Sequence, residues 1–148
     1  NKDKWPFAKP LLTAPGLRPG CPEINGSSAA YRDLLRIRTT EKAFSHTSAD
    51  QVQSALAFPL SGRGETPGVI TMRVGDLVVV FNATPAAQTQ KVEALAGTAY
   101  GLHPVQAGGA DEAVKRASYS RSSGTFTVPG RTVAVFSRPQ GASATVRG

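Results

Sequence analysis

Side chains able to do chemistry are few in this sequence and dispersed along it. Cleavage by a general acid and a nucleophile needs two carboxyl groups about 5 Å apart, one of them kept protonated near neutral pH. The only adjacent carboxylates are Asp111 and Glu112. They sit in a glycine-rich loop, and neighbours on an extended chain point to opposite sides. His46 and His103 have no second histidine at metal-ligand spacing and no framing cysteine or carboxylate, so both read as surface or turn histidines. Cys21 is the single cysteine, which excludes an internal disulfide and a cysteine-built metal site. No Gly-x-Ser-x-Gly elbow accompanies the serines. A sugar-binding surface would need exposed aromatic rings. Phe58, Phe81, Phe126 and Phe136 fall in the core pattern, which leaves Trp5 and, as candidates for glycan contact, Tyr100 and Tyr119. The residues thus predict no independent catalytic group, no metal site and no cofactor.

Charge narrows the partners. The 17 Lys and Arg against 10 Asp and Glu give a net charge of +7, but no basic run exceeds Lys115-Arg116. Basic residues scattered in this way suit solubility and predict no nucleic-acid partner. No apolar run approaches the roughly 20 residues that span a bilayer, so no membrane partner is expected. The opening Asn1-Lys2-Asp3-Lys4-Trp5-Pro6 lacks an initiator Met and a signal-peptide core, and reads as a cut inside a longer protein.

The elements that would position these residues are mainly β. With 15 Gly and 11 Pro in 148 residues, turns and short strands are favoured over long helices. The organising stretch is Gly68 to Pro85, where two β-rich runs meet across Gly75-Asp76, a type II′ hairpin signal. A two-residue loop sets Val74 opposite Leu77, Met72 opposite Val79 and Ile70 opposite Phe81, and places all six on one face, expected to be core. On the other face Val69, Thr71 and Arg73 predict a half-wet first strand. Val78 and Val80 make the second strand apolar on both sides, as in the middle of a layered fold.

Upstream, Pro6, Pro10, Pro15, Pro19 and Pro22 predict an irregular extended segment over residues 1–26, apolar enough through Trp5, Phe7, Leu11, Leu12 and Leu17 to lie against something. Residues 27–39 predict the one clear helix. Ser27 or Ser28 is its N-cap, Ala30, Tyr31, Leu34, Leu35 and Ile37 are its apolar stripe, and Arg32, Asp33 and Arg36 lie on its wet side. Asn25-Gly26-Ser27 and Asn82-Ala83-Thr84 fit the glycosylation sequon, a three-residue pattern that arises by chance.

Alternation over Gln51 to Phe58 predicts a strand closed by Pro59 and Gly62. Further strands are expected over residues 89–95, 100–105 and 114–119. A last pair, 124–128 and 132–137, is joined by a type II turn at Pro129-Gly130, with Phe126 and Val128 inward. Residues 139–148 read as a flexible tail. Seven or eight short strands without an internal repeat argue for an antiparallel β-sandwich.

At this point the sequence carries a likeness. Trp5-Pro6, Lys9-Pro10-Leu11-Leu12, the run Tyr31-Arg32-Asp33-Leu34-Leu35-Arg36-Ile37-Arg38 and Phe44 resemble the end of the catalytic barrel in pullulanase-type debranching enzymes of the α-amylase superfamily. Val52 to Phe58, Thr66 to Ile70, Leu77 to Thr84, Phe126 to Pro129 and Arg131 to Phe136 are similar to the C-terminal β-sandwich that follows that barrel. The likeness runs in order to Arg138.

It implies that residues 1–45 are the tail of the catalytic barrel, a Pro-rich loop and the last barrel helix, and that 46–138 form the C-terminal β-sandwich domain. The parent would hydrolyse α-1,6-glucosidic bonds in pullulan, amylopectin or limit dextrin, with calcium possible in that enzyme. The family's three catalytic carboxylates lie upstream, so no residue here inherits those roles. Asn1, Asp3 and Trp5 come from a loop that would border the substrate cleft. The expected partners are the parent's own barrel and its α-glucan substrate. The compartment stays open, with a secreted parent favoured. The rival expectation is a stand-alone glycan-binding sandwich that uses Tyr100 and Tyr119.

Overall fold

The computed structural model describes residues 1–139. The expected tail falls outside the described residues from position 140 onward. Among the described residues eight strands form two antiparallel sheets: β1 (Leu56–Ala57), β2 (Val69–Val74), β3 (Leu77–Asn82), β8 (Thr132–Ser137) and β5 (Gly101–Leu102), in that order across one, and β4 (Gln88–Lys91), β7 (Thr125–Val128) and β6 (Ser118–Ser120) across the other. The mainly β sandwich expected from the sequence is what forms.

The β2–β3 hairpin has the register that its turn dictates, with Val74 opposite Leu77, Met72 opposite Val79 and Ile70 opposite Phe81. Gly75 takes φ +56 while Asp76 stays at negative φ, the combination of a type II′ turn. β3 lies between β2 and β8, and its residues Leu77, Val78, Val79 and Val80 are all buried. Val78 and Val80 join Phe126, Val128, Ala134 and Phe136 in the cluster between the sheets, while Val79 and Val135 belong to a second cluster with Ile37. The hairpin's faces depart from expectation in two ways. Ile70 and Phe81 are 54% and 37% exposed, so the six-residue face is core only toward the turn. Val69 and Thr71 are buried, because the side of β2 expected to be half wet is covered by the second sheet: the Thr71 hydroxyl donates to Gln90 Oε1 on β4 at 3.3 Å.

Aromatic rings close the inter-sheet core. Tyr100 stands edge-on to Tyr119 and Phe126, at 5.4 and 5.8 Å between centroids, and Phe126 is edge-on to Phe136 at 4.9 Å. The Tyr119 hydroxyl donates to the Leu95 carbonyl at 2.6 Å. Burial first, and then the neighbouring Tyr100, pushes the Tyr119 phenol above its ordinary range.

β7 and β8 are not the hairpin expected from Pro129-Gly130; they lie in different sheets, and the turn carries the chain between layers. The left-handed residue there is Arg131, at φ +54, and not Gly130. Gly130 is needed for space instead, since a Cβ would overlap the Pro85 carbonyl. The crossover is held by buried Asn82, whose amide nitrogen reaches the carbonyls of Ala86, Val128 and Pro129 at 2.8, 3.1 and 3.0 Å. Its Oδ1 accepts from Thr84 N and Thr84 Oγ1. The second sequon therefore supplies structure, not a free amide.

The N-terminal portion is helical where an irregular segment was expected. α1 (Trp5–Thr13) and α2 (Cys21–Thr40) form because Pro6 and Pro22 fall in first turns, where the missing N–H has no partner to lose. Only Pro10 is interior. α2 starts six residues before Ser27, with Glu23 Oε2 accepting from Gly20 N at 2.8 Å. The strand expected over Gln51 to Phe58 is instead the helix α3 (Ala49–Ala55) followed by the short β1. Ser48 caps it, accepting from Gln51 N, while Gln51 Oε1 accepts from Thr47 N at 3.0 Å. The expected strands at 89–95, 100–105 and 114–119 are shortened by single helical turns at Glu93–Leu95, Pro104–Ala107 (α4) and Val114–Arg116.

Two outcomes follow. Asn82→Ala removes the side-chain donor from the buried Val128 carbonyl and one of two donors from the Ala86 and Pro129 carbonyls, and is expected to cost about 2–3 kcal/mol in urea unfolding. A loss under half a kilocalorie would mean that Asn82 does not hold the crossover. Because the folded-state pKa of Tyr119 is raised, its contribution to stability is fully present below about pH 10 and is lost as the pH climbs through the folded value. Urea midpoints should therefore fall more steeply above pH 10 in the wild type than in Tyr119→Phe.

Candidate functional site

At 20 residues α2 is about 30 Å long and turns roughly 100° per residue, which sorts its apolar side chains into two stripes. Ala30, Leu34 and Ile37 form one, and Ile24, Tyr31 and Leu35 form the other, roughly 120° around the helix. The first stripe meets the sandwich. Ile37 is buried against Val79 and Val135 on the outer side of the five-stranded sheet, with Phe44, Met72, Val105 and Val133 around them. The second stripe is bare: Ile24, Tyr31 and Leu35 are 55%, 63% and 45% exposed.

Polar contacts fix the first stripe in place. The Asp33 carboxylate accepts from Ala110 N at 2.8 Å, so Asp33 faces the glycine-rich loop and not the wet side where the sequence put it. Asp111 Oδ1 accepts from Ala113 N at 2.8 Å and holds the same loop. Glu41, just past the end of α2, lies 3.1 Å from His103 Nε2. His103 Nδ1 accepts from Val105 N at 3.2 Å, which leaves the Nε2 hydrogen for Glu41. His103 is thus a buried capping residue and not a surface one. Beyond the short β5 the sheet edge is completed by a side chain: the Gln106 amide donates to Val133 O at 2.7 Å and accepts from Val135 N at 2.8 Å.

Beside the joint, the outer sheet face stays open. A groove of about 200 Å³ runs between Leu34, Ile37 and Phe44 on one side and Met72, Phe81 and Val133 on the other. Upstream, α1 contributes no buried residue, and Phe7, Leu11 and Leu12 are 76%, 60% and 79% exposed. A nine-residue helix with an interior proline has little stability of its own, so α1 and the bare stripe of α2 are surfaces that call for a partner.

Of the residues expected at a cleft border, Asn1 and Asp3 lie in the short helical turn that precedes α1, and Trp5 is the first residue of α1. Asn1 O accepts from Lys4 N, Asp3 pairs with Lys4 at 3.2 Å, and Trp5 is half exposed with the Lys9 ammonium 4.7 Å from its ring centre. Tyr100 and Tyr119 belong to a separate place, the half-buried aromatic cluster of the sandwich. Among the described residues no three His, Cys, Asp or Glu side chains gather, and no group for a metal is assembled. Sequence reasoning missed the joint of Asp33, Glu41, His103 and Gln106; the only local trace was the His103-Pro104 helix start.

Residues 1–139 match the family described as alpha-1,6-glucosidases, pullulanase-type, C-terminal. The chain is 35% identical to pullulanase 1, chloroplastic, of Arabidopsis thaliana over 92% of its own length, which is 16% of that protein. It is 26% identical to the pullulanase of Klebsiella pneumoniae over 83% of its length, 12% of that one. Among solved structures it resembles PulA of Klebsiella oxytoca at TM-score 0.71 and 25% identity, covering 84% of this chain and 13% of that one. The Klebsiella pneumoniae pullulanase complexed with maltotriose matches at TM-score 0.71 and 26% identity, covering 84% and 13%. The chain thus spans less than a fifth of each of these relatives.

The two stripes of α2 are separable by mutation. Ile37→Ala is expected to cost about 2–5 kcal/mol of the stability of the chain, as a large-to-small change in a packed core does. Leu35→Ala should stay within about 0.5 kcal/mol. Chemical unfolding of both variants checks this, and equal losses would contradict a two-faced helix.

Proposed function

The chain belongs to the C-terminal family of pullulanase-type α-1,6-glucosidases, and we propose that within such an enzyme it is the non-catalytic part that packs on the catalytic barrel and stabilises it. In this reading the whole protein hydrolyses α-1,6-glucosidic bonds in pullulan, amylopectin or limit dextrin. Residues 1–45 are the tail of the barrel, and 46–138 are the sandwich.

The observation that carries the proposal is the bare apolar surface of α1 and α2. Phe7, Leu11, Leu12, Ile24, Tyr31 and Leu35 lie on α1 and on the stripe of α2 that the sandwich leaves uncovered. Fully covering one such side chain is worth about 1.5–3 kcal/mol, so a barrel seated there gains a large stabilising area. The carboxylates nearest to one another in function here, Asp33 and Asp111, each hold a backbone amide of the 109–113 loop, which gives them a structural task. Asn1, Asp3 and Trp5, at the far N-terminal end of that surface, would then stand where the barrel's substrate cleft begins.

The test is co-production with a pullulanase-type catalytic barrel that lacks its own C-terminal region. A stable complex is expected, with Leu12→Asp plus Leu35→Asp weakening it roughly 100-fold or more. The chain alone should release no reducing sugar from pullulan. A soluble barrel with no affinity for the chain, or sugar release by the chain alone, would overturn the reading.

A further inference from the structure

The proposed docking surface lies on α1 and α2, but the far side of the molecule carries a feature that it does not use. Lys115-Arg116-Ala117-Ser118-Tyr119 places two cations three and two residues before a hydroxyl, with a large apolar residue after it. Protein kinases choose substrates partly by such charge patterns. Sequence alone does not single out Ser118, because other hydroxyls follow basic residues: Thr39 and Thr40 come after Arg36 and Arg38, and Thr66 comes three residues after Arg63.

The structure separates them. Thr39 and Thr40 lie in the last turn of α2, and their hydroxyls donate to the carbonyls of Leu35 and Arg36. Thr66 Oγ1 accepts from Gln90 Nε2 at 3.0 Å. Ser118 is in extended backbone at the start of β6, the outer strand of the three-stranded sheet, and is exposed. Its hydroxyl has no side-chain hydrogen bond among the described residues, and Arg116 is exposed beside it. Among the described residues Lys115 pairs with Glu112, itself on the surface, and Arg116 Nη1 donates to the Glu112 carbonyl at 3.5 Å. β6 hydrogen-bonds to β7 and packs near the short β5, and Ser118 lies exposed at its N-terminal end. The sheet that carries it covers the face of the five-stranded sheet opposite α2, and docking through α1 and α2 leaves Ser118 accessible.

We propose that Ser118 is a phosphorylation site for a basophilic serine/threonine protein kinase, with Lys115 and Arg116 as its recognition charges. In the step the Ser118 oxygen attacks the γ-phosphorus of ATP, the bond from that phosphorus to the β,γ-bridging oxygen breaks, and ADP leaves. The hydroxyl proton passes to the kinase's catalytic aspartate. The product places a dianion next to two cations, where it forms charge-assisted pairs and draws Lys115 from Glu112.

The experiment incubates the full chain with the catalytic subunit of cyclic-AMP-dependent kinase, ATP and Mg²⁺, and reads intact mass and the modified residue by tandem mass spectrometry. One phosphate on Ser118 is expected. It should be absent in Ser118→Ala and reduced at least tenfold in rate in Lys115→Ala plus Arg116→Ala, with circular dichroism unchanged in both. No incorporation, incorporation that persists in Ser118→Ala, or an unchanged rate in the double variant overturns the proposal.

Discussion

Four consecutive buried residues, Leu77 to Val80, set the condition that the rest of the molecule meets. Side chains alternate across a strand, so a strand buried at every position must be covered on both faces. The three-stranded sheet covers one face through Phe126 and Val128, and α2 covers the other through Ile37. These covers differ in width. Five strands about 4.8 Å apart make a sheet roughly 20 Å across, while a helix with its side chains is about 10–12 Å wide. One helix therefore shelters about half of the outer face. The exposed Ile70 and Phe81 and the groove beside Phe44 are the remainder.

The joint between helix and sandwich is small in apolar area and specific in its polar contacts. Ile37 is the one residue of α2 that is buried outright. Around it, Asp33 grips the 109–110 backbone, Glu41 meets His103, and Gln106 completes the edge of β8. Single hydrogen bonds contribute about 1 kcal/mol each. Their larger effect is on register, since a slide of α2 by one turn would unmake the Asp33 and Glu41 contacts together. That fixed register keeps Ile24, Tyr31 and Leu35 aimed away from the sandwich.

What the sequence made legible was local. The hairpin register followed from Gly75-Asp76 alone, because a two-residue turn leaves the pairing no freedom. β3 as the central strand followed from its unbroken apolar run. The errors share a cause: each rested on one signal where a second, competing one decided. Prolines at 6 and 22 read as breakers in the sequence, though a first helical turn accepts them. Alternation over 51–58 concealed the Ser48 and Gln51 cap. Pro129-Gly130 resembled a hairpin turn, while the crossover was decided by Asn82, whose partners lie 46 and 47 residues away. The joint was invisible for the same reason, since Glu41 and His103 are 62 residues apart and Asp33 and Ala110 are 77 apart. The bare surface itself was anticipated, because too many large apolar residues precede the sandwich for it to cover.

The central claim is that α1 and the outer stripe of α2 are interface and not free surface. Amide hydrogen exchange, measured on the chain alone and on the chain joined to a pullulanase-type barrel, addresses it most directly. The account predicts that amides of α1 exchange at nearly unprotected rates in the isolated chain and slow by about 100-fold or more beside the barrel, while β3 and β8 exchange alike in both. Strong protection of α1 in the isolated chain, or none in either setting, would contradict it.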